Sequence, residues 1–514
     1  MHIGQGIHRA VQLRADATAT VYGDRRRSWR QVKDRVARYA AGLRALGLAH
    51  GDRVMIIAHN SDLYIETFYA IAWAGGVCVP GNFRWSEAEH AYALRDSGAR
   101  FLIADAQHVE MARALATGSQ VAAVLLLSDD TSPSSAAVLI AEHEGVEDGS
   151  GRDDDLFGIF YTGGTTGRPK GVMLSHRGIM TTILAVNAMT PFPPEPVFLH
   201  IPPMFHLAAA GAVFATSFYA GTHVVLRGFD SRVVAETIEH ERITAALMVP
   251  TMFAMLDEYQ REHGGDFSSV RRIRYGTAGT GEELLKRAMQ LFPNAEFQQG
   301  YGQTEMSPAV TVLEPRFHIL GSEKPYLRSA GRPTMVTELR IVDDALEDLP
   351  LGQVGEILAR GPGVMLGYWN NPELTAATIV DGWVRTGDAG YMDAEGFLYI
   401  ADRLKDMIIS GGENVFSAEV EMRLQMHPAI AECAVIGVPD PKWGERVHAV
   451  VRFKPDQSAT LDELVAHCRE GIAGYKCPRT MEIWTEPLPM SPQGKIMKTD
   501  LRRPHWEGSQ RQVG

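Results

Sequence analysis

The chain has 514 residues, which is too many for one hydrophobic core, so we expect roughly two to four structural units. Hydrophobic residues make up 45% and charged residues 22%, the balance of an ordinary globular protein. The formal net charge of -12 is dispersed along the sequence. Because nucleic acid attracts basic surfaces, this charge excludes nucleic acid as the main partner.

Cysteine usage and the amino terminus predict the compartment. The chain has four cysteines, at Cys78, Cys433, Cys468 and Cys477. They show no CxxC or Cys/His ligand spacing, which is typical of free thiols in a reducing cytosol. Residues 1–16 lack the apolar core of a signal peptide, and the longest apolar runs, such as 121–127, are too short to cross a bilayer. We expect a cytoplasmic protein without a transmembrane segment, while peripheral membrane contact and a homodimer remain open.

Helices and strands alternate in the first part of the chain. Apolar residues recur every three or four positions from Ser28 to Gly47, which predicts an amphipathic helix. A buried strand is predicted at 54–58, a helix from Ser86 to about Asp96, and another strand at 101–104. This spacing predicts βαβ units and a parallel sheet.

The run YTGGTTGRPKGV at 161–172 is the strongest local signal. It should follow a strand at 157–161. Glycines lose much conformational entropy on folding, so such a cluster favours a loop whose bare backbone N–H groups approach an anion. A flexible linker is the alternative, but linkers seldom end in Pro-Lys-Gly. A P-loop is excluded, because Arg168 stands where that motif needs its lysine, and Gly171 follows Lys170 in place of Ser or Thr.

The middle of the chain continues with helices, strands and glycine-rich turns. Ser175 should begin a helix, and Pro202 and Pro203 should leave His206 at the start of a helix of small residues. On the pattern alone, such a histidine is more often a core or capping residue. Strands are predicted at 245–249 and 273–275, the second leading into the turn 276–279.

Two further motifs carry groups suited to a nucleotide. In QGYGQTE at 299–305, Tyr301 can stack on a purine, Thr304 can hydrogen-bond a phosphate, and Glu305 can hold Mg²⁺ through oxygen. In RTGDAG at 385–390, Asp388 can accept hydrogen bonds from both ribose hydroxyls. Alone, either motif could be a polar turn.

The carboxy-terminal part is predicted as a small α+β unit. It contains strands at 431–438 and 449–453 and a helix near 461–472. The run PMSPQGKIMK at 489–498 then places Lys495 on a loop beside a glycine. By itself this lysine would be a solvated surface residue.

Taken together, these motifs closely resemble those of the adenylate-forming superfamily, which includes acyl-CoA synthetases, peptide adenylation domains and beetle luciferases. Five motifs occur in the family's order and cover nearly the whole chain. The resemblance is strongest to bacterial fatty-acyl-CoA synthetases. It implies an α/β fold with a large amino-terminal domain of βα-rich sheets, residues 1–402, and a small mobile α+β domain, residues 403–514, with a hinge near 403–406.

The resemblance also implies site residues. The implied nucleotide-binding residues are Thr162, Gly163, Gly164, Thr165, Thr166, Lys170, Gly300, Tyr301, Gly302, Asp388 and Arg403. The implied catalytic residues are His206, Thr304, Glu305 and Lys495, with Glu305 also the magnesium ligand. The hinge residue is Lys405, and Gly411 and Gly412 would line the coenzyme A tunnel. The implied acyl pocket contains His206, Ala208, Ala209, Ala210, Thr277 and Ala278.

Three places depart from the family's pattern or leave alternatives. Relatives commonly have Gly-Gly-Ala-Pro where this chain has Gly-Thr-Ala-Gly at 276–279, and proline where it has Ser417, which we expect to change stiffness more than chemistry. The alanines at 208–210 could leave room for a bulky acyl group or could only pack closely against a neighbouring helix.

The implied reaction uses ATP, Mg²⁺ and coenzyme A. A small-molecule carboxylate attacks the α-phosphate, pyrophosphate leaves, and the thiol of coenzyme A then attacks the acyl adenylate. Medium or long fatty acids are favoured, and aryl acids such as cinnamates also fit. A stand-alone adenylation enzyme that loads a carrier protein is the main alternative. A non-catalytic nucleotide sensor and a luciferase-like oxygenase are less consistent with the motifs.

Overall fold

We describe the protein from a computed structural model. The described residues are 1–132, 134–162, 169–276, 280–410, 413–490 and 496–507, with only the backbone described for Arg403, Lys405 and Asn414. Several predicted site residues therefore lie outside the described residues: Gly163, Gly164, Thr165, Thr166, Thr277, Ala278, Gly411, Gly412 and Lys495.

The described residues form helices and strands in alternation through most of the chain. The helices are α1 Gln5–Arg14, α2 Trp29–Ala45, α3 Asp62–Trp73, α4 Glu87–Ser97, α5 Val109–Ala116, α6 Ala136–Glu142, α7 His176–Met189, α8 Leu207–Phe218, α9 Ser231–His240, α10 Pro250–His263, α11 Glu282–Leu291, α12 Pro372–Thr378, α13 Ser417–Gln425, α14 Leu461–Arg469 and α15 Lys498–Trp506.

The strands are β1 Thr18–Tyr22, β2 Arg25–Ser28, β3 Arg53–Ile57, β4 Val77–Pro80, β5 Phe101–Ala104, β6 Ala123–Leu126, β7 Leu156–Thr162, β8 Lys170–Ser175, β9 Val197–His200, β10 Thr222–Val225, β11 Ala245–Met248, β12 Arg272–Gly276, β13 Glu296–Tyr301, β14 Thr311–Leu313, β15 Arg332–Pro333, β16 Glu338–Val342, β17 Gly355–Arg360, β18 Gly367–Tyr368, β19 Ile379–Val380, β20 Trp383–Met392, β21 Leu398–Arg403, β22 Ile408–Ser410, β23 Glu413–Val415, β24 Ile430–Asp440, β25 Gly444–Phe453 and β26 Thr480–Ile483.

The helix starts follow from capping chemistry. The side chains of Ser28 and Ser86 each accept a hydrogen bond from the backbone N–H of the third residue of α2 and α4, and the side chain of that third residue accepts one from the backbone N–H of the serine. Ser175 caps α7 with a single hydrogen bond, in which its side-chain oxygen accepts from the backbone N–H of Gly178. The helices predicted to begin at these serines are confirmed.

The chain divides into two compact units. The first unit contains residues 1–338 and 359–384, and the second contains residues 339–358 and 385–514. This division reflects packing within each unit and does not test where a mobile domain pivots, so the boundary predicted at 402/403 stays a prediction. The mixed α/β fold with a large amino-terminal and a small carboxy-terminal domain is confirmed.

Two largely parallel sheets build the first unit. One has the strand order β15-β14-β13-β12-β11-β9-β10-β1-β2 and the other β18-β8-β7-β4-β3-β5-β6. Every residue of α3 is buried, and its apolar side chains share a core cluster with residues of α8 and of both sheets. A helix that is buried on all sides must pack against structure on all sides, so α3 and α8 lie between the sheets.

The second unit has its own sheet and core. Strands β22 to β26 form a sheet of order β23-β22-β25-β24, with β26 paired to β25. Helix α13 and helix α14 contribute Val420, Leu424 and Leu464 to the core on one face, and α15 contributes Leu501 on the other. No helix among the described residues is long and apolar enough to cross a membrane.

Candidate active site

The two described ends of the glycine-rich run lie on neighbouring strands. Strands β7 and β8 pair antiparallel, and Thr162 is the register partner of Lys170, so the two ends of the run are held side by side. Strand β8 had not been predicted, because the sequence placed only a loop between β7 and the helix at Ser175. This pairing fixes Lys170 beside Thr162.

Lys170 faces an aromatic ring. Its Nζ lies 5.3 Å from the ring centroid of Tyr368, which follows Gly367 on β18, the strand paired with β8. Among the described residues, no carboxylate lies within ion-pair distance of this ammonium group. A tyrosine ring offsets part of the charge by cation–π attraction but leaves it open to an anion.

The same tyrosine contacts Glu305. The Tyr368 hydroxyl donates to Glu305 Oε1 at 2.9 Å, and the backbone N–H of Met365 donates to the Glu305 carbonyl at 2.9 Å. Burial raises the pKa of Tyr368 and the Glu305 carboxylate raises it further, so the phenol keeps its proton at neutral pH. The structure thus brings Lys170 and Glu305, predicted from separate motifs, to one ring. Sequence reasoning missed Tyr368, and the Gly-Tyr-Trp run at 367–369 was its only local signal.

Glu305 and Thr304 lie on a 3₁₀ turn, Thr304–Met306, just after β13. Strand β13 is parallel to β12, with Gly300 opposite Gly276. A Cβ on Gly276 would lie 2.4 Å from the Gly300 carbonyl oxygen, whereas a Cβ on Gly300 would meet nothing within 4 Å. The first glycine allows close strand packing, and the second leaves open space beside Tyr301. Carboxyl ends of parallel strands are where α/β sheets bind ligands.

Gly302 has a different role, since a Cβ there would lie 2.0 Å from the carbonyl oxygen of Pro308. Only glycine fits at this crossing of two backbone segments. The chain can therefore turn from β13 directly into the segment that carries Thr304 and Glu305.

His206 is the N-cap residue of α8, as predicted. The turn before it is held by Asn60, whose side chain donates to the carbonyls of Ile201 and Pro202 at 3.1 and 3.0 Å and accepts from the N–H of Met204 at 2.8 Å. Sequence reasoning missed Asn60, because its partners are more than a hundred positions away.

The surroundings of His206 are aromatic. Its ring centroid is 4.2 Å from that of Phe205, and Phe205 packs edge-on against Phe83 at 5.4 Å. Burial, and to a smaller extent the positive charge of Arg84, lower the pKa of His206 to about 4. The imidazole is therefore neutral at pH 7 and can offer a hydrogen bond or a flat surface, but no positive charge.

The three alanines after His206 occupy different environments. Ala208 is exposed, while Ala209 and Ala210 are buried and Ala210 belongs to the main core cluster. Core packing accounts for Ala210. The assignment of these residues to an acyl pocket stays a prediction.

Asp388 and the backbone of Arg403 belong to the second unit. They are register partners on the antiparallel strands β20 and β21. The Asp388 N–H donates to Thr386 Oγ1 at 3.1 Å, and that hydroxyl donates to the Ile357 carbonyl at 2.7 Å. Gly387 between them has a φ of +69°, which favours glycine. Lys405 follows on the 3₁₀ turn Leu404–Asp406.

A buried charged network lies in the same unit and was not predicted. Lys498 Nζ lies 2.8 Å from Glu421 Oε1 and donates to Ser417 Oγ at 2.7 Å, and the Ser417 hydroxyl donates to Asp402. Burial alone would lower the pKa of Lys498, but the carboxylates of Glu421 and Asp402 outweigh it and the pKa lies above its usual range. Ser417, the position where proline was expected, is the centre of this network.

Comparison with known proteins is consistent with these observations. The model of the AMP-binding enzyme family matches residues 7–369, and that of the AMP-binding enzyme C-terminal domain matches residues 419–495. A feruloyl-CoA synthase of Amycolatopsis sp is 40% identical over 499 residues, which cover 96% of this chain and 97% of that protein. A medium/long-chain-fatty-acid CoA ligase of Mycobacterium tuberculosis is 34% identical over 532 residues, which cover 100% of this chain and 92% of that protein.

Among solved structures, ATP-bound MatB from Rhodopseudomonas palustris is 27% identical and superposes with a TM-score of 0.89, covering 99% of this chain and 100% of that chain. The family models together match well over half of the chain. The chain therefore belongs to the AMP-binding enzyme family, and its predicted place in the adenylate-forming superfamily, as an enzyme of the acid–thiol ligase type, is confirmed.

Proposed function

We propose that the protein joins an aryl carboxylic acid of the phenylpropenoate class to coenzyme A. The reaction has two steps. A carboxylate oxygen attacks the α-phosphorus of ATP and pyrophosphate leaves. The thiol sulfur of coenzyme A then attacks the acyl carbon, AMP leaves, and the thiol proton is released.

The observation that carries the ATP chemistry is the cluster of Lys170, Tyr368 and Glu305 beside the described end of the glycine-rich run. Two anions meet in the first step, so the site must supply positive charge where negative charge accumulates. Lys170 has that charge without a carboxylate partner among the described residues, and it is the group we assign to the β- and γ-phosphates.

The chemistry of Glu305 fits a magnesium ion. One carboxylate oxygen accepts from Tyr368, and the other has no partner among the residues that the structure describes. Carboxylate oxygens are the ligands that Mg²⁺ prefers. When bound, Mg²⁺ would supply positive charge beside the phosphate oxygens, and Glu305 would hold it. Tyr368 would orient that carboxylate.

The acid class is supported by the similarity to a feruloyl-CoA synthase at 40% identity. The aromatic side chains of Phe205 and Phe83 beside a neutral His206 also suit a flat, uncharged ring better than a charged one. The fatty-acid preference expected from the sequence is the second candidate, supported by the similarity to a medium/long-chain ligase at 34% identity.

The test is AMP release from ATP and Mg²⁺ with ferulate, cinnamate, benzoate, octanoate and palmitate, each with and without coenzyme A. We expect the highest kcat/KM for ferulate or cinnamate, and release that requires coenzyme A for continued turnover. A higher kcat/KM for octanoate or palmitate would replace the aryl class with the fatty class. Pyrophosphate exchange without any thioester would favour loading of a carrier protein.

We also propose that Lys495 acts only in the first step and that the small domain then turns about Lys405 to bring Gly411 and Gly412 to the site. Lys495→Ala should abolish adenylate formation and spare thioester formation from supplied acyl adenylate. Equal loss of both steps would contradict this division of labour.

A further inference from the structure

Three side chains of the second unit converge on one point that the proposed function does not use. His448 lies on β25, Glu482 on β26 and His505 on α15. Strands β25 and β26 are parallel, with His448 opposite Thr480 and Val450 opposite Glu482. Because side chains two positions apart lie on one face of a strand, His448 and Glu482 share a face of the sheet.

The spacing of the three groups is close to that of a coordination site. Nε2 of His448 lies 3.8 Å from Glu482 Oε2, and Nε2 of His505 lies 3.5 Å from the same oxygen. One possible ligand atom from each of the three residues lies within 4.8 Å of the other two. A tetrahedral ion with bonds of about 2.0–2.2 Å holds its ligand atoms about 3.3–3.6 Å apart. Small side-chain shifts bring all three atoms to that spacing.

His448 also has an unsatisfied atom that points to this place. The residue is 6% exposed, and among the described residues its Nε2 has no hydrogen-bond partner. Its Nδ1 lies 2.7 Å from Thr480 Oγ1. When Nδ1–H donates to Thr480, the lone pair of Nε2 faces Glu482 and His505, which is the arrangement of a metal-ligating histidine with its supporting hydrogen bond.

We propose that His448, Glu482 and His505 form a binding site for a divalent ion of the zinc type. Two imidazoles and one carboxylate are a set that Zn²⁺ accepts in four-coordinate sites, with water in the fourth position. Side-chain exposures of 46% for Glu482 and 30% for His505 leave a path for the ion and for that water.

A second group of similar composition in the first unit does not meet the same conditions. There Asp105 already binds His59 Nδ1 at 2.7 Å and His108 Nδ1 at 2.6 Å through its two oxygens. The Arg227 guanidinium lies 3.4 Å from His59 Nδ1, where its charge would repel a cation. Two histidines beside a carboxylate are therefore not sufficient for a metal site.

The ion would stabilise the packing of α15 against strands β25 and β26. This helix has only nine residues and contains Pro504, which removes one backbone hydrogen bond. Lys498 anchors its first turn, and a metal at His505 would anchor its last.

The test is equilibrium dialysis of the full-length, metal-free protein against ZnSO₄ alone, without substrates. We expect one zinc per chain with a Kd in the micromolar range or tighter, a raised Tm in the presence of zinc, and a Co²⁺ complex with the visible spectrum of a tetrahedral site. His505→Ala and Glu482→Gln should each weaken zinc binding at least tenfold.

His427→Ala is the matched control, because His427 lies in the same unit with its ring 5.2 Å from that of another histidine, His467. It should bind zinc as the wild type does. Absence of stoichiometric binding, or equal binding by wild type and the His505→Ala/Glu482→Gln double variant, would overturn the proposal. Pyrophosphate exchange, measured separately, keeps failure of the metal site distinct from failure of the proposed reaction.

Discussion

Lys170 and Lys498 show two opposite ways to hold a lysine in one chain. Lys170 lies over the ring of Tyr368, and no carboxylate among the described residues forms an ion pair with it. Lys498 is buried, paired with Glu421 at 2.8 Å and bonded to Ser417 at 2.7 Å. The positive charge of Lys170 is therefore available to an anion, whereas that of Lys498 is neutralised by Glu421. We propose that this unmatched positive charge is what distinguishes a phosphate-binding lysine from a structural one.

The largest expected effect is on stability, from Lys498→Met. This change leaves the Glu421 carboxylate buried without its cation, which costs about 3–5 kcal/mol. We expect the loss to appear in the second unit as faster hydrogen exchange in β24 and β25, followed by mass spectrometry. The double variant Lys498→Met/Glu421→Leu should recover much of the protection. If it is no more stable than the single variant, Lys498 does not act through Glu421.

The next effect is on catalysis, from Lys170→Met. Loss of a cation that stabilises developing phosphate charge should lower kcat/KM for ATP by about 10²–10³-fold, by analogy with removal of one electrostatic donor. The unfolding midpoint should change little, because the charge makes no ion pair with any residue that the structure describes. Lys442→Met is the control, because Lys442 also lies over an aromatic ring, with its Nζ 4.7 Å from the ring centroid of Trp443. A similar loss of activity in the control would show that the effect is not specific to the site.

His200 and His223, in contrast to the two lysines, must stay uncharged in the folded protein. Nε2 of His200 lies 3.0 Å from Nδ1 of His223, and Nε2 of His223 lies 3.2 Å from Ser217 Oγ, all buried. Burial lowers the pKa of His223 to about 3 and that of His200 well below its usual value. The unfolded chain therefore binds protons first as the pH falls below about 6.5, and the folded state loses stability.

Each of these two histidines should contribute about 1.4 kcal/mol of lost stability per pH unit below that point. Urea unfolding at pH 7.0, 6.0 and 5.5 measures the slope. His223→Gln should make the slope shallower, and an unchanged slope would assign the pH dependence to other groups.

The smallest effect should come from Tyr368→Phe. The phenylalanine keeps a ring under Lys170 but removes the hydroxyl that donates to Glu305. We expect a loss of about 1 kcal/mol, or roughly fivefold in kcat/KM at limiting Mg²⁺, because water can replace part of the bond. Tyr368→Ala removes the ring as well and should lose more. Equal losses for the two variants would assign the whole effect to the hydroxyl.

Short sequence patterns predicted the features that depend on contacts between neighbouring residues. Ser28, Ser86 and Ser175 mark helix starts because a cap bonds within three residues of itself. The glycine-rich run and the segment that carries Glu305 were also identified from short motifs. The superfamily followed from the order of those motifs along the chain.

The features that sequence reasoning missed depend on contacts between distant positions. Tyr368 meets Glu305 across 63 positions, and Lys498 meets Ser417 across 81. Nothing in the run around Lys498 distinguishes a buried lysine from an exposed one, since the difference lies in Glu421 and Asp402. Strand β8 is an exception, since it pairs with the neighbouring strand β7 as well as with β18, and its residues were interpreted as part of a loop.

The most direct test of the account is to trap the intermediate. The enzyme is mixed in a single turnover with ATP labelled on the α-phosphate, Mg²⁺ and ferulate, with coenzyme A added only afterwards. We predict a labelled feruloyl adenylate that forms only with the acid and converts to AMP and an equal amount of thioester when coenzyme A arrives. Absence of an acid-dependent adenylate with every acid in the panel, or formation of ADP in place of AMP, would contradict the account.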